Sequence, residues 1–122
     1  PTLALAQAGL GTIYLQKKDH QKAILAFQKA LASDSKAHYA MIGLAQVYLK
    51  KNTENDQACL LAEQACQLQP APEYFDILSQ VYHQAGKIKL ALKACQSAIE
   101  SAPDNPVFRQ RLVELQKDQS EY

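Results

Sequence analysis

Three cysteines, three histidines and one Gly-Leu-Gly triplet are the residues here whose types could carry chemistry. Gly9-Leu10-Gly11 has two glycines of a dinucleotide-binding loop, but no third glycine and no preceding strand, and the helical pattern runs on through it. Cys59 and Cys66 are seven residues apart, which on a helix places them on one face but about 10 Å apart along the axis, too far for a disulfide. No Cys-x-x-Cys or His-Glu-x-x-His occurs, so no metal site is expected. The thiols read as small apolar core residues, Cys95 among them, and an unpaired set suits a reducing compartment such as the cytoplasm. His20, His38 and His83 fall at unlike places, without a nucleophile and a carboxylate at matching spacing. The expectation is therefore a non-enzyme with no cofactor.

What remains is the chemistry of surfaces. The chain of 122 residues is 48% hydrophobic, enough for one domain with a core. Its 13 basic and 12 acidic residues nearly cancel, so no general attraction to nucleic acid or an anionic membrane is expected. Residues 1–61 hold seven basic and four acidic side chains and residues 62–122 hold six and eight, a weak dipole. No apolar run reaches the roughly 20 residues that cross a bilayer. Abundant Ala and Gln, with few β-branched residues, favour helix over sheet.

Any such surface must be positioned by repeated elements. Leu10, Leu44 and Leu78 are spaced by 34, as are Tyr14, Tyr48 and Tyr82, with a small residue following each leucine: Gly11, Ala45 and Ser79. Ala23, Ala58 and Ala91, then Ala30, Ala65 and Ala98, recur at 35 and 33, so one extra residue near Lys51–Asn55 is cancelled by one fewer near Pro70–Pro72. Each unit closes near Ser35, Pro70 or Pro103. Within a unit the first segment carries Leu, small and Tyr on one face. The second carries Ala23-Phe27-Ala30, Ala58-Ala62-Ala65 or Ala91-Cys95-Ala98, the i, i+4, i+7 spacing of a buried stripe.

The periodicity predicts helices over about 2–16, 20–33, 36–50, 54–68, 72–85, 88–101 and 106–118. Asp34-Ser35 is expected to cap the third, and Thr53 with Asp56 to form a capping box on the fourth in competition with Asn55. Gly86 suits a left-handed residue after a helix, and Asn105-Pro106 an N-cap with a first-turn proline. Gly11 is expected opposite an alanine of its partner helix, where lack of a side chain permits close approach. Gly9, matched by Gly43 and Ile77, is expected to relieve crowding against a neighbour or a ligand.

This order of Leu, small, Tyr, Ala, aromatic, Ala and Pro at a 34-residue period resembles the tetratricopeptide repeat family. The resemblance covers residues 4–105, as repeats of about 4–37, 38–71 and 72–105. The early Trp of the family is Gln7, Met41 and Phe75 here; its second aromatic survives only as Phe27, becoming Ala62 and Cys95; its closing Pro is Ser35 in the first unit. The resemblance implies an all-α, right-handed superhelical array of three antiparallel helix pairs plus a C-terminal capping helix. It also implies a concave groove, lined by the first helix of each repeat, that receives a peptide or partner protein.

The groove face follows from periodicity too, since residues two steps from the inward Leu-Tyr face are turned by about 200°. That gives Ala8, Thr12 and Gln16; Ile42, Gln46 and Lys50 flanked by Tyr39 and Leu49; and Asp76, Gln80 and Gln84 flanked by Glu73 and His83. Amides suit a peptide backbone, and Tyr39 an aromatic anchor. The expected partner-binding residues are Thr12, Gln16, Tyr39, Ile42, Gln46, Lys50, Asp76, Gln80, His83 and Gln84. Lys50 against Glu73 and Asp76 suggests modest charge selectivity. Family members that clamp a C-terminal carboxylate use Lys, Asn and Arg where this chain has Ala8, Thr12, Gly43, Glu73 and Ile77, so an internal segment or a helix is the expected occupant.

The ends differ. Val107, Phe108, Leu112, Val113 and Leu115 are expected to cover the last pair, with Arg109, Arg111, Glu114 and Lys117 in solvent. The N-terminal helix has no such lid, leaving Leu3 and Leu5 bare. A chain cut from a longer array, or self-association through Leu3 and Leu5, would account for that. The function expected is a protein-interaction scaffold; the alternative is a structural or oligomerisation module associating through the N-terminal edge.

Overall fold

The computed structural model describes residues 2–120. Seven helices follow in order: α1 (Thr2–Gln16), α2 (His20–Ser33), α3 (His38–Lys51), α4 (Asn55–Leu68), α5 (Pro72–Gln84), α6 (Ile88–Ser101) and α7 (Pro106–Ser120). The described residues contain no strand. None of these helices is long and apolar enough to cross a membrane.

Short loops fold successive helices back on one another. Lys18, at φ 63°, turns α1 into α2, where the Asp19 carboxylate caps the helix by accepting from the Lys22 N–H. Gly86, at φ 81°, makes the left-handed step after α5. Before α7, Asn105 Oδ1 accepts from the Val107 N–H at 2.9 Å, and Pro106 opens the helix. Two expected caps do not form. Asp34 ends α2 and accepts from the Lys36 N–H, a local turn that delays α3 to His38. Thr53 makes no capping bond, and α4 starts after Glu54, which takes the left-handed conformation at φ 52°.

Helices α1 and α2, α3 and α4, and α5 and α6 pair along their lengths, and α2 on α3, α4 on α5 and α6 on α7 link the units. Their crossings are built from small side chains: Ala23, Ala30, Ala45, Ala62, Ala65, Ser79, Ala91, Cys95 and Ala98 have no exposed surface. Gly11 does occupy a crossing, but it faces the Phe27 ring and not an alanine; a Cβ there would lie 2.8 Å from the ring. Gly43 faces the other side of the space that Phe27 fills, where a Cβ would lie 2.4 Å from it. One aromatic thus spans two helices because both lack a side chain. Gly9 has nothing within 4 Å, so it relieves no crowding within the described chain.

The inward leucine face holds in two units only. Leu44 and Leu78 are buried at 4% and 8% exposure, while Leu10 is 43% exposed. The difference is a missing neighbour: α2 lies over α3 and α4 over α5, and no described helix precedes α1.

The last helix also departs from expectation. Phe108 and Leu115 are buried, but Val107 and Val113 are exposed, and Arg111 is half-buried in an ion pair. The cause is register. Pro106 and Leu112 follow Pro72 and Leu78 by 34, so α7 carries the sequence register of a first-type helix while packing on α6. Val113 then falls on the small-residue slot, which no described helix covers.

Candidate functional site

The first-type helices lie side by side, α3 touching both α1 and α5. This arrangement divides the expected groove residues into two rows. Ala8, Ile42 and Asp76 share one register position, and all three are buried. Ile42 is therefore not an open groove residue, because α3 has a first helix on each flank and this row lies along their seams. Asp76 is buried as well, against expectation, and its charge is met by α7: Arg111 Nε donates to Oδ1 at 2.5 Å and Nη2 to Oδ2 at 3.3 Å. Gln80 Nε2 donates to the same carboxylate at 3.2 Å.

The second row is accessible. Thr12 and Gln16 on α1 are exposed, and the Thr12 hydroxyl is turned back on its own helix, donating to the Ala8 carbonyl at 3.1 Å. On α3, Gln46 is half-buried and Lys50 exposed. Lys50 shares an open hollow with Leu15, Gln16, Lys18 and His20. Tyr39 is half-buried against the core, its ring edge-on to His38 with centroids 5.4 Å apart. His38 Nδ1 in turn lies 2.8 Å from the Tyr74 hydroxyl on α5. Burial first, then the nearby Cys66 and Glu73, hold the Tyr74 phenol above its ordinary pKa, so it stays a protonated partner for the imidazole.

The third-unit end is largely satisfied from within. His83 Nε2 meets Asp118 of α7 at 2.5 Å, and Gln84 Nε2 donates to Asn52 Oδ1 at 2.6 Å. A concavity of about 340 Å³ remains there, with Leu49, Gln80, His83, Arg111 and Glu114 in its walls. Gln84 Oε1 and Ser79 Oγ are buried here without partners among the described residues.

Thr12, Gln16, Gln46, Lys50, Gln80, His83 and Gln84 thus belong to one accessible row with Tyr39 at its margin, while Ile42 and Asp76 fall on the buried seam. Sequence reasoning missed Arg111, Glu114 and Asp118. The signal was present in the 34-residue step from Pro72 to Pro106 and from Leu78 to Leu112, which extends the row onto α7.

The thiols take no part. Cys59, Cys66 and Cys95 are buried and unbridged. Burial, reinforced by Glu63, pushes the Cys66 thiol up to about 11. Cys95 Sγ lies 3.3 Å from the Phe108 carbonyl. No cluster of three metal-ligating side chains occurs among the described residues.

Tetratricopeptide repeat family models match residues 4–37 and 72–105. No curated protein matches the chain. Among solved structures, the chain is similar to the first tetratricopeptide repeat domain of human RPAP3, at 17% identity and TM-score 0.93 over 99% of this chain and 95% of that one. It is similar to the first such domain of Spaghetti (RPAP3) bound to the HSP90 peptide SRMEEVD, at 17% identity and TM-score 0.90 over 98% and 94%. It also resembles YrrB, described as having an unusual peptide-binding site, at 23% identity and TM-score 0.84 over 95% of this chain and 60% of that one.

Proposed function

The chain belongs to the tetratricopeptide repeat family, and from that premise we propose that it is a protein-interaction scaffold holding an internal or helical segment of a partner. The surface is the row formed by α1, α3, α5 and α7, with Tyr39, Gln46 and Lys50 at its centre. One observation carries this reading. Tyr39 is held half-buried by the core and by His38, two turns before a Gln46 amide on the same helix that has no partner among the described residues. An aromatic ring fixed before binding loses little entropy on contact, and an amide can both donate to and accept from a peptide backbone.

The row ends differently from a carboxylate clamp. Ala8 and Gly43 are buried, Glu73 is an exposed acid, and the α7 cation that faces α5, Arg111, is committed to Asp76. Arg111 therefore offers a free C-terminal carboxylate no uncommitted charge on the α5–α7 part of the row. Spaghetti (RPAP3) in its complex holds the HSP90 peptide SRMEEVD, which supports peptide capture by this fold without extending that ligand to this chain.

The test is selection of peptides from a displayed random library on the intact chain, followed by titration against Tyr39→Ala/Gln46→Ala. Selected peptides should lose at least tenfold in affinity with melting unchanged, and amidating their C-termini should make no difference. Equal affinity for the variant, or dependence on a free carboxylate, would overturn the reading.

A further inference from the structure

Where α7 joins α5, the row is built differently from the rest. Helix α3 lies against both α1 and α5, whereas α7 packs on α6 and is tied to α5 by two side-chain bridges, Arg111 to Asp76 and Asp118 to His83. The cavity of about 340 Å³ lies at this joint, with Arg111 and His83, one member of each bridge, in its walls beside Gln80, Gln84 and Glu114. Both bridge members are therefore already engaged with carboxylates. Glu114 is exposed and pairs with no cation among the described residues. Asp76, Asp118 and Glu114 set three carboxylates against one guanidinium and one imidazole, so the joint is net negative whether or not the imidazole is protonated. No lysine is among the lining residues. A cleft with a surplus of one sign concentrates the opposite charge.

The cavity wall adds a second, independent sign. Ser79 has no exposed surface, and its Oγ faces no partner among the described residues. Packing does not demand a hydroxyl there, because the same slot holds Gly11 in the first unit and Ala45, equally buried, in the second. Gln84 gives its Nε2 to Asn52 Oδ1, and its Oε1 is left buried without a partner. Gln80 likewise gives its Nε2 to Asp76. Both amides have a donor engaged, and their oxygens remain to accept. A buried polar atom without a partner destabilises the fold that carries it, and a ligand that donates to it recovers that loss on binding. What this cavity offers is acceptors and negative charge.

We propose that the cavity is a subsite for a basic side chain, the ammonium or guanidinium of one lysine or arginine in the captured segment. Glu114 is its counter-charge, and Gln84 Oε1 and Ser79 Oγ accept from its N–H groups, of which an ammonium has three and a guanidinium five. A donor entering beside the long, rotatable Gln84 side chain meets both acceptors. The subsite rests on the reading of the row as a peptide-capturing surface and names the side chain that its α5–α7 part selects.

The test uses the intact chain and peptides selected on it from a displayed random library. Selected peptides should share one lysine or arginine, and replacing it by norleucine or citrulline should weaken binding at least tenfold. Glu114→Gln should weaken the basic peptide at least tenfold and leave the uncharged one unchanged, so that the norleucine penalty disappears. Ser79→Ala should weaken the basic peptide severalfold while raising the melting temperature, a pairing that a purely structural hydroxyl would not give. Tyr39→Ala/Gln46→Ala should weaken both peptides alike. Independently of any peptide, Nα-acetyl-lysine methylamide should shift the amide resonances of Ser79, Gln84 and Glu114 saturably, and its norleucine analogue should not. Peptides that depend on Tyr39 and Gln46 yet show no basic preference, or keep their norleucine penalty in Glu114→Gln, would overturn the subsite and leave the scaffold reading intact. So would the absence of saturable shifts with the lysine amide. Peptides that ignore Tyr39→Ala/Gln46→Ala but keep a preference that depends on Glu114 would overturn the scaffold reading of the central row and support the subsite.

Discussion

Arg111 on α7 closes onto Asp76 on α5, thirty-five residues earlier, with two guanidinium nitrogens on one carboxylate. The partners of this pair sit where the preceding seams have Ala8 with Gly43, and Ile42 with Ile77. Successive seams are therefore small, apolar and then ionic at equivalent places. The last seam gains orientation from a fork-shaped donor, which fixes α7 against α5 more narrowly than apolar packing would.

Removing one member of that pair strands the other. Arg111→Ala should cost about 2–4 kcal/mol, because Asp76 stays buried and loses its counter-charge. The double change Asp76→Leu/Arg111→Met should recover most of that loss. Urea unfolding of Asp76→Leu, Arg111→Met and the double variant measures the coupling.

The Phe27 slot predicts a size-dependent cycle. Gly43→Ala should cost about 1–3 kcal/mol, since its Cβ would meet a ring that is itself packed on all sides. Phe27→Leu should cost about 1–2 kcal/mol alone and reduce the penalty of Gly43→Ala. Additive effects in thermal denaturation would mean that the two residues do not share one space.

Gly9 should behave in the opposite way. With nothing within 4 Å of its Cβ direction, Gly9→Ala should raise stability by about 0.5–1 kcal/mol. A fall in melting temperature would show that its freedom of backbone conformation is needed in the chain itself.

Alkaline pH should unfold the protein. Burial raises the Cys66 thiol from 9.0 to about 11, and Tyr48, Tyr74 and Tyr82 are raised in the same direction, chiefly by burial. Tyr82 additionally donates its hydroxyl to Glu63. The unfolded chain releases these protons first, so it binds fewer than the native state. Stability is then fully present below about pH 9 and is lost as pH rises through about 11. Urea midpoints across that window should fall, and Cys66→Ala should flatten the decline.

The helices and their pairing were legible because they depend on short-range spacing. Leu44, Leu78 and the Ala23-Phe27-Ala30 type of stripe report the phase of one helix, which a 34-residue period makes unambiguous. What sits across a crossing was less legible. Gly11 meets Phe27 and not alanine, because the size of a slot is set by whichever side chain arrives from the neighbouring helix. Leu10 reads like Leu44, but no described helix covers it as α2 covers Leu44. Ile42 and Asp76 were placed in the groove because phase alone does not say how closely the first helices approach. Arg111 appeared solvent-exposed because a lone amphipathic helix gives no sign of a carboxylate on another element.

That α7 keeps the register of a first helix has a consequence for the length of any ligand. Helices α1, α3 and α5 lie side by side and Arg111 and Asp118 tie α7 on beyond them, and at about 8–10 Å per step such a ledge is roughly 25–30 Å across. An extended strand advancing about 3.3 Å per residue would traverse it in about eight or nine residues. Shorter peptides would leave one end of the ledge bare, so truncating a bound segment below that length should erode its affinity stepwise, one rod at a time.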